Sequence, residues 1–225
     1  MGAPGVVVNR REGGSSALAV GWALFLLLAA GWTVLRMGSP VGLGVEALRG
    51  PARVFVGTVG IGTVLLWPLV RLSQRGGKGS GWRAAADAWA VSLPSAAAVA
   101  PLEALVHWGW GTTWLVVVCL GGWTWAAAGA TALGTREVGA WRRAWWALVC
   151  VGMGGAGPGI ALVAARLGVG ARDVVAVCSA GAGPVLISEW GVGDWTSWWG
   201  ASAGWVVAGV LWAGVWGRTR VGRMS

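Results

Sequence analysis

Seven apolar stretches, separated by short charged segments, occupy most of this chain of 225 residues. A run of about 20 apolar residues can cross the hydrocarbon core of a bilayer as an α-helix. Only 11% of the residues are charged, against about 25% in ordinary soluble domains. The pattern therefore predicts an integral membrane protein. The stretches are residues 16–35, 54–72, 84–106, 112–133, 144–165, 174–187 and 198–217.

Tryptophan is unusually frequent, with 20 tryptophans and no tyrosine in the chain. Indole rings concentrate where the hydrocarbon core meets the headgroups. Residues 189–199, EWGVGDWTSWW, hold four tryptophans and two acids, and we expect this segment to form an aromatic belt at the interface. Because the stretches lack the period-two alternation of a membrane β-barrel, we expect helices.

The stretch 174–187 is shorter than the others. Its fourteen residues extend only about 21 Å as a helix, whereas the hydrocarbon core is about 30 Å thick. It also contains the helix-breaking sequence Gly-Ala-Gly-Pro at residues 181–184. The predicted fold is therefore all-α, a polytopic membrane helical bundle of about six transmembrane helices plus one re-entrant or half-depth segment.

The basic residues test the number of crossings, because cytoplasmic loops of membrane proteins carry an excess of Arg and Lys. Six crossings from a cytoplasmic N-terminus place twelve basic residues inside and five outside, whereas a seventh crossing by 174–187 gives nine against eight. The charges therefore favour six crossings of an inner membrane, with both termini in the cytoplasm. The twelve are Arg10, Arg11, Arg71, Arg75, Lys78, Arg83, Arg136, Arg142, Arg143, Arg218, Arg220 and Arg223, and the five are Arg36, Arg49, Arg53, Arg166 and Arg172.

The predicted organisation is a cytoplasmic tail at residues 1–15, one transmembrane domain at 16–217 and a basic cytoplasmic tail at 218–225. The formal net charge of +9 would suggest nucleic acid in a soluble protein. Here the arginines lie in short segments between spans, where such charges orient the protein and contact anionic lipid. The expected partners are therefore the lipid bilayer and a further membrane or ATPase subunit, and not nucleic acid.

The third stretch contains most of the candidate polar residues. Ionisable side chains at membrane depth are expensive, and each is by default a functional candidate. Asp87, Pro94 and Pro101 are seven apart and share a helical face, while Glu103 and His107 are four apart and share another. The prolines should kink this helix and open room for water or a ligand, as in a gate or cavity wall. The alternative is pairing at the interface, with Asp87 beside Arg83.

The sequence Gly-Ala-Gly-Pro occurs twice, at residues 155–158 and 181–184. Broken helices at matched positions mark the binding site of many transporters. The alternative is close packing of small residues between helices. The candidate cavity residues in these two segments are Gly155, Gly157, Pro158, Gly181, Gly183 and Pro184.

Residues 107–114, HWGWGTTW, resemble the tryptophan-rich signature of the six-span haem-handling proteins of cytochrome c maturation. The resemblance implies haem binding through histidines that flank the motif. This chain has one histidine, His107, and no acidic residue closes the run. Two histidines from a single subunit therefore cannot ligate a haem here.

Enzymatic motifs are scarce. The sequence has no phosphate-binding Gly-x-x-x-x-Gly-Lys-Ser/Thr loop, no His-Glu-x-x-His helix and no pair of histidines for a metal. We expect no cofactor and no catalysis, and interpret the chain as a permease-like or scaffold subunit of a membrane complex. The alternatives are a haem-handling protein and the membrane subunit of an ABC-type exporter.

The two main interpretations predict different structures. A transport subunit should have a water-accessible cavity lined by the third stretch and the glycine-rich segments. A scaffold should have those residues tightly packed, together with a lateral apolar groove for a partner.

Overall fold

The structure is a computed structural model that describes residues 13–37, 44–73, 80–137, 139–167 and 179–221. Of the predicted segments, residues 1–12, 174–178 and 222–225 lie outside this description. All regular secondary structure within it is helical. The helices are α1 (Gly13–Met37), α2 (Val45–Ser73), α3 (Ser80–Val99), α4 (Leu102–Val106), α5 (Trp110–Gly134), α6 (Ala140–Leu167), α7 (Ala182–Trp190) and α8 (Trp195–Val221).

Within the described residues, five helical stretches are long and apolar enough to cross a membrane. They are Ala17–Arg36, Val45–Ser73, Gly81–Val106, Trp110–Gly134 and Trp195–Arg218. Helix α6 has the length for a sixth crossing, since its 28 residues extend about 42 Å. The prediction of an all-α membrane bundle is confirmed.

Helices α5 and α8 form the most extensive helix pair and run in the same direction. The indole Nε1 of Trp205 donates to the carbonyl of Val118 at 2.9 Å, and that of Trp212 donates to the carbonyl of Trp125 at 3.1 Å. The two donors are seven residues apart, and so are the two acceptors. The residue numbers of donors and acceptors increase together along the two helices. Two indoles therefore fix α8 parallel to α5 in one register.

Helix α6 runs antiparallel to α2. Leu72, near the end of α2, and Trp146, near the start of α6, both lie beside Gly134. Further along α6, a Cβ at Gly154 would lie 3.1 Å from Cγ2 of Val64, which comes earlier in α2. The residue numbers of α6 therefore rise while those of α2 fall. We call the end of the bundle where α1 begins the proximal end and the other the distal end.

Helix α7 reaches only half of the bundle. It has nine residues, about 13 Å of helix. Its start faces Ile61 near the middle of α2. A Cβ at Gly191, just after its end, would lie 3.4 Å from Thr112 Oγ1 at the distal start of α5. This geometry matches the predicted half-depth segment.

The parallel arrangement of α5 and α8 also limits the crossings between them. Since both point from the distal to the proximal end, the chain that joins them must return across the bundle an odd number of times. Helix α6 makes one such return. A second crossing by residues 174–187 would turn α8 antiparallel to α5, which the indole hydrogen bonds of α8 contradict.

Exposed tryptophans mark both ends of the bundle. Each ring in the two groups is more than half exposed, as expected for indoles at the two interfaces of a bilayer. The expectation of an aromatic belt at residues 189–199 agrees with the exposure of the tryptophans at the start of α8. The distal group is Trp110, Trp114, Trp195, Trp198 and Trp199, and the proximal group is Trp82, Trp141, Trp145 and Trp216.

Candidate functional site

The second Gly-Ala-Gly-Pro segment forms the beginning of α7 inside the bundle. Ser179, fully buried, precedes it and serves as a cap. Its Oγ accepts hydrogen bonds from the amides of Gly181 and Ala182, both at 3.2 Å, and donates to the carbonyl of Gly154 at 3.3 Å. One hydroxyl thus satisfies two of the amide groups that every helix start leaves without an intrahelical partner.

The remaining amides of this helix start also have partners. Ala180 donates to the carbonyl of Met153 on α6 at 3.1 Å, and Gly183 donates to the carbonyl of Ser179 at 2.9 Å. Pro184 has no N–H to satisfy. Lipid cannot provide hydrogen bonds at this depth, and the protein supplies all of them itself. No amide from residue 180 to residue 184 is left to bind an ion or substrate.

The start of α7 packs against glycines of α2. A Cβ at Gly60 would overlap the carbonyl oxygen of Ala180, and a Cβ at Gly57 would lie 3.0 Å from Val185 Cγ2. Gly181, Gly183 and Pro184 are buried. We call this contact of α2, α6 and the start of α7 the midplane junction. It is closely packed backbone against backbone.

The first Gly-Ala-Gly-Pro segment does not break its helix, contrary to the expectation of two matched breaks. Helix α6 continues through Gly155, Gly157 and Pro158 to Leu167. Gly155 is exposed, with no atom within 4 Å of its Cβ position. The two segments are neighbours because Met153 and Gly154, just before the first, bind Ser179 and Ala180, just before the second.

Asp87 is buried and forms an ion pair. Its carboxylate accepts from Arg71 Nε at 2.7 Å and Arg71 Nη2 at 2.8 Å. The expected neighbour Arg83 is exposed, so the partner comes from α2 and not from the same helix. This two-point contact joins the proximal ends of α2 and α3 and is the strong form of an arginine–carboxylate bond.

A second charged contact ties the α5–α6 connection to α8 at the proximal end. Glu137 lies 3.0 Å from Arg218 Nη1 and 3.4 Å from Arg142 Nη1. The hydrogen bond from Arg218, followed by the contacts of Arg142, lowers the pKa of Glu137 below its ordinary value. The carboxylate is therefore charged at neutral pH.

The two prolines of the third stretch behave differently. Helix α3 continues through Pro94 to Val99, whereas Pro101 stands at the cap position of the short helix α4. Proline lacks the amide hydrogen that an unbroken helix would need there. The interruption therefore lies at Pro101, close to the distal end.

Glu103, His107 and Pro101 line one distal cavity of about 420 Å³, together with Trp110. His107 is exposed and has left-handed backbone angles, φ 50° and ψ 48°, at the end of α4. Its amide donates to the carbonyl of Glu103, one helical turn earlier, at 3.0 Å, and its left-handed angles end the helix at this residue. Oε2 of Glu103 is buried without a hydrogen-bond partner among the described residues.

A lateral groove lies between α6 and α8. Among the described residues, both helices pack on α5 and make little or no contact with each other. The groove has a volume of about 530 Å³, and its surface is almost wholly apolar. We call it the α6–α8 groove; its walls include Gly152, Ala156, Ala203 and Val206, with Trp123 of α5 at its base.

One serine motif lies within α8. Residues 200–204, Gly-Ala-Ser-Ala-Gly, match the letters of the Gly-x-Ser-x-Gly nucleophile motif. That motif acts at a sharp turn between a strand and a helix, whereas this one lies inside α8, where the hydroxyl of Ser202 donates to the carbonyl of Trp198. Among the described residues no three His, Cys, Asp or Glu side chains form a metal-binding group.

Comparisons with known proteins identify no relative: no family model, curated protein or solved structure matches this chain.

Sequence reasoning missed Ser179 as a cap and Gly60 as the surface that receives Ala180. The spacing of Gly57, Gly60 and Gly62 on α2 could have indicated a close helix contact. The α6–α8 groove had no sequence signal, because it depends on which helices fail to touch.

Proposed function

We propose that this protein is a non-catalytic scaffold subunit of a membrane complex, which receives a transmembrane helix of its partner in the α6–α8 groove. The observation that carries the proposal is the contrast between two regions. The midplane junction, where a transporter would bind its substrate, is closed, and the α6–α8 groove at the side of the bundle is open.

The closure of the midplane junction argues against the permease-like alternative. Transporters with broken helices bind substrates through backbone groups that the break leaves exposed. Here the amides from Ala180 to Gly183 donate hydrogen bonds to Met153 and Ser179. The carbonyl of Ala180 packs directly against Gly60 and leaves no space between them. Asp87, a polar candidate of the third stretch, is neutralised by Arg71.

The shape of the α6–α8 groove favours a helix as its occupant. Helices associate in lipid through close packing, and small residues at the contact let the backbones approach. Gly152 and Ala156 on α6 are four residues apart and therefore share a face, and Ser202 and Ala203 contribute small side chains from α8. A partner helix would complete the wall between α6 and α8.

Photo-crosslinking tests the proposal. A photo-reactive amino acid at Val206, which lines the groove, should give one discrete protein adduct in cells. The same photo-reactive amino acid in place of Leu28, which is exposed on α1, should give no adduct. Gly152→Phe fills the groove from a position with no atom near its Cβ, and should abolish the adduct; Gly155→Phe, on the same helix and equally open, should not.

Two outcomes would contradict the scaffold function. One is equal crosslinking at positions 206 and 28, or an adduct that survives Gly152→Phe. The other is rapid reaction of Gly183→Cys with a small hydrophilic thiol reagent in the folded protein, in a background without the native cysteines. That reaction would mean that water reaches the midplane junction, as the permease-like alternative requires.

We propose that the protein lies in the inner membrane with both termini in the cytoplasm. The twelve-to-five distribution of basic residues supports this orientation. In this orientation the proximal end lies on the cytoplasmic side and the end of α7 on the outer side. Reporter fusions at Ser225 and near Gly77 should both indicate cytoplasm.

Cysteine labelling provides an independent test of the same orientation. In a background without native cysteines, Arg172→Cys and Glu189→Cys should both react with an impermeant maleimide added from outside, because a half-depth segment returns to the side from which it enters. Labelling of position 189 from the cytoplasm alone would contradict both the orientation and the six-crossing topology.

The two alternative functions depend on partners encoded elsewhere. A neighbouring cytochrome gene would favour haem handling, with His107 as the single axial ligand that this chain offers. A neighbouring ATP-binding cassette gene would favour the exporter subunit.

A further inference from the structure

A cavity of about 420 Å³ at the distal end of the bundle takes no part in the scaffold function. Its volume is within the range of small-molecule sites, and most of its surface is apolar. It lies where α3 is followed by α4 and where α5 begins. We call it the distal cavity, and its walls include Ala100, Pro101, Glu103, Ala104, His107 and Trp110.

Glu103 is the one acidic residue among the described residues that line the distal cavity. Its Oε2 is buried and has no hydrogen-bond partner in the described part of the chain. A buried acceptor without a donor costs free energy, and a charged acceptor costs more than a neutral one. A ligand that brings N–H donors and a positive charge to Glu103 would remove this cost and would therefore be stabilised here.

The backbone around Pro101 adds partial negative charge at the same place. Pro101 has no amide hydrogen for the carbonyl of Ala97. The amide of Glu103 donates to the carbonyl of Ala100 at 3.3 Å, one residue short of the helical partner, which would be Val99. The last turn of α3 thus lacks two of the amide donors that a continuous helix would supply. Such carbonyls are the negative end of the helix dipole, which favours a cation.

The neighbouring arginines of α2 do not supply that cation. Arg49 pairs with Glu46 at 2.9 Å, and its Nε donates to the carbonyl of Val106 at 3.4 Å. Neither Arg49 nor Arg53 is among the described residues that line the distal cavity. The positive charge opposite Glu103 is therefore left to a ligand.

The rest of the wall suits the apolar part of such a ligand. Trp110 is 63% exposed, and an indole ring attracts an ammonium group that lies over its face. Pro101 and Ala104 add apolar surface. Glu103 and His107 alone are too few side-chain ligands for a divalent metal, and within the described residues no three such side chains form a metal-binding group.

We propose that the distal cavity binds an alkylammonium ion, with the ammonium group at the Glu103 carboxylate and the alkyl part against Trp110 and Pro101. An anion would be repelled by Glu103, and a neutral alcohol would leave the carboxylate without a counter-charge. The cavity lies at the end of the bundle that the exposed distal tryptophans mark as an interface. The ammonium group therefore arrives either on a free amine or on the headgroup of a lipid. This inference does not depend on the scaffold function.

Isothermal titration calorimetry of the full-length protein in detergent tests the charge of the ligand. Butylammonium and butanol have nearly the same size and differ in charge. We expect butylammonium to bind about tenfold more tightly than butanol, because a hydrogen bond to a charged group is roughly twice as strong as a neutral one. Equal affinities of the two probes would overturn the proposal.

Two short-chain lipids separate the two sources of the ammonium group. Dihexanoyl phosphatidylethanolamine carries a primary ammonium, and dihexanoyl phosphatidylglycerol has the same acyl chains without it. If the ligand is a lipid headgroup, phosphatidylethanolamine alone should displace butylammonium; if it is a free amine, neither lipid should. Equal displacement by both lipids would mean that the cavity binds acyl chains without regard to the ammonium, against the proposal.

Two glutamates give a matched pair of variants. Glu103→Gln removes the charge and keeps the shape, and because Oε2 has no partner among the described residues, the variant should fold as the unmodified protein does. It should weaken butylammonium by about tenfold, which corresponds to about 1.4 kcal/mol. Glu46→Gln removes an acid at the same end of the bundle whose side chain is 80% exposed and pairs with Arg49, and should leave the affinity unchanged.

Two phenylalanine variants test the location. Ala104→Phe fills the distal cavity from its wall, whereas Leu105→Phe places the same ring at the next residue, which is exposed and is not part of that wall. Ala104→Phe should abolish the binding of butylammonium, and Leu105→Phe should not change it. Binding of butylammonium that survives both Glu103→Gln and Ala104→Phe would place the ammonium elsewhere and refute the assignment.

Discussion

Replacing Gly60 with alanine should strongly destabilise the protein. The new Cβ would overlap the carbonyl oxygen of Ala180, which is backbone and cannot rotate away. Overpacking in cores costs typically 1–3 kcal/mol, and we expect about 3 kcal/mol here. At about 2–4 °C per kcal/mol for a chain of this size, the Tm in detergent should fall by about 10 °C.

A second glycine on the same helix provides the control for Gly60. Gly50 also lies within α2, is exposed and has no atom within 4 Å of its Cβ position. Alanine is a better helix former than glycine by about 1 kcal/mol, but Pro51 crowds a Cβ on the helical residue before it, so Gly50→Ala should leave the Tm close to that of the unmodified protein. If Gly60→Ala melts within about 1 °C of the unmodified protein, a small fraction of the shift expected, then α7 does not begin against the middle of α2.

Replacing Gly204 with alanine should separate α5 from α8. The new Cβ would lie 2.6 Å from the amide nitrogen of Trp123 and 2.8 Å from the carbonyl carbon of Gly122. Since both atoms belong to the backbone of α5, the helices must move apart. The indole bonds from Trp205 and Trp212 would lengthen with them. We expect a loss of about 3 kcal/mol, again at the upper end of overpacking.

This change can be followed by fluorescence as well as by melting. Separation of the helices exposes the indole of Trp212, which now lies 5.7 Å from the ring of Trp125, and should shift tryptophan emission as well as the Tm. Gly209→Ala is the matched control, because Gly209 lies five residues further along α8 with open space at its Cβ. Equal melting of the two variants would argue against the close parallel contact of α5 and α8.

The sequence predicted the class of fold because its signals are local. Apolar runs of spanning length require helices, since no other open structure satisfies backbone groups in lipid. The shortness of stretch 174–187 predicted half-depth insertion for the same reason, and the nine-residue α7 agrees. Neither inference needed to know which helices are neighbours.

The sequence was less informative about the candidate site. Gly-Ala-Gly-Pro has identical letters at residues 155–158 and 181–184, but one copy lies inside a continuous helix and the other begins one. Glycine permits a break without requiring it. In the second copy the break is stabilised locally by the hydroxyl of Ser179, which caps the helix that follows, and by the space that Gly60, far away in the chain, leaves for Ala180.

The charged residues show the same division. Local spacing placed Asp87 beside Arg83, one turn away on the same helix, but tertiary structure gave it Arg71 from α2. Spacing put His107 one helical turn after Glu103, and its amide does donate to the carbonyl of Glu103, but the sequence did not indicate that His107 ends α4 in a left-handed conformation.

The sequence by itself determined that this chain is a helical membrane protein, because length, apolarity and the position of arginine act residue by residue on the free energy of insertion. Only the tertiary structure decided that α8 lies parallel to α5, that the midplane junction is closed and that the α6–α8 groove is open. Those features depend on which helices meet. In lipid, where apolar surfaces do not drive helices together as they do in water, close packing and a few hydrogen bonds determine the contacts.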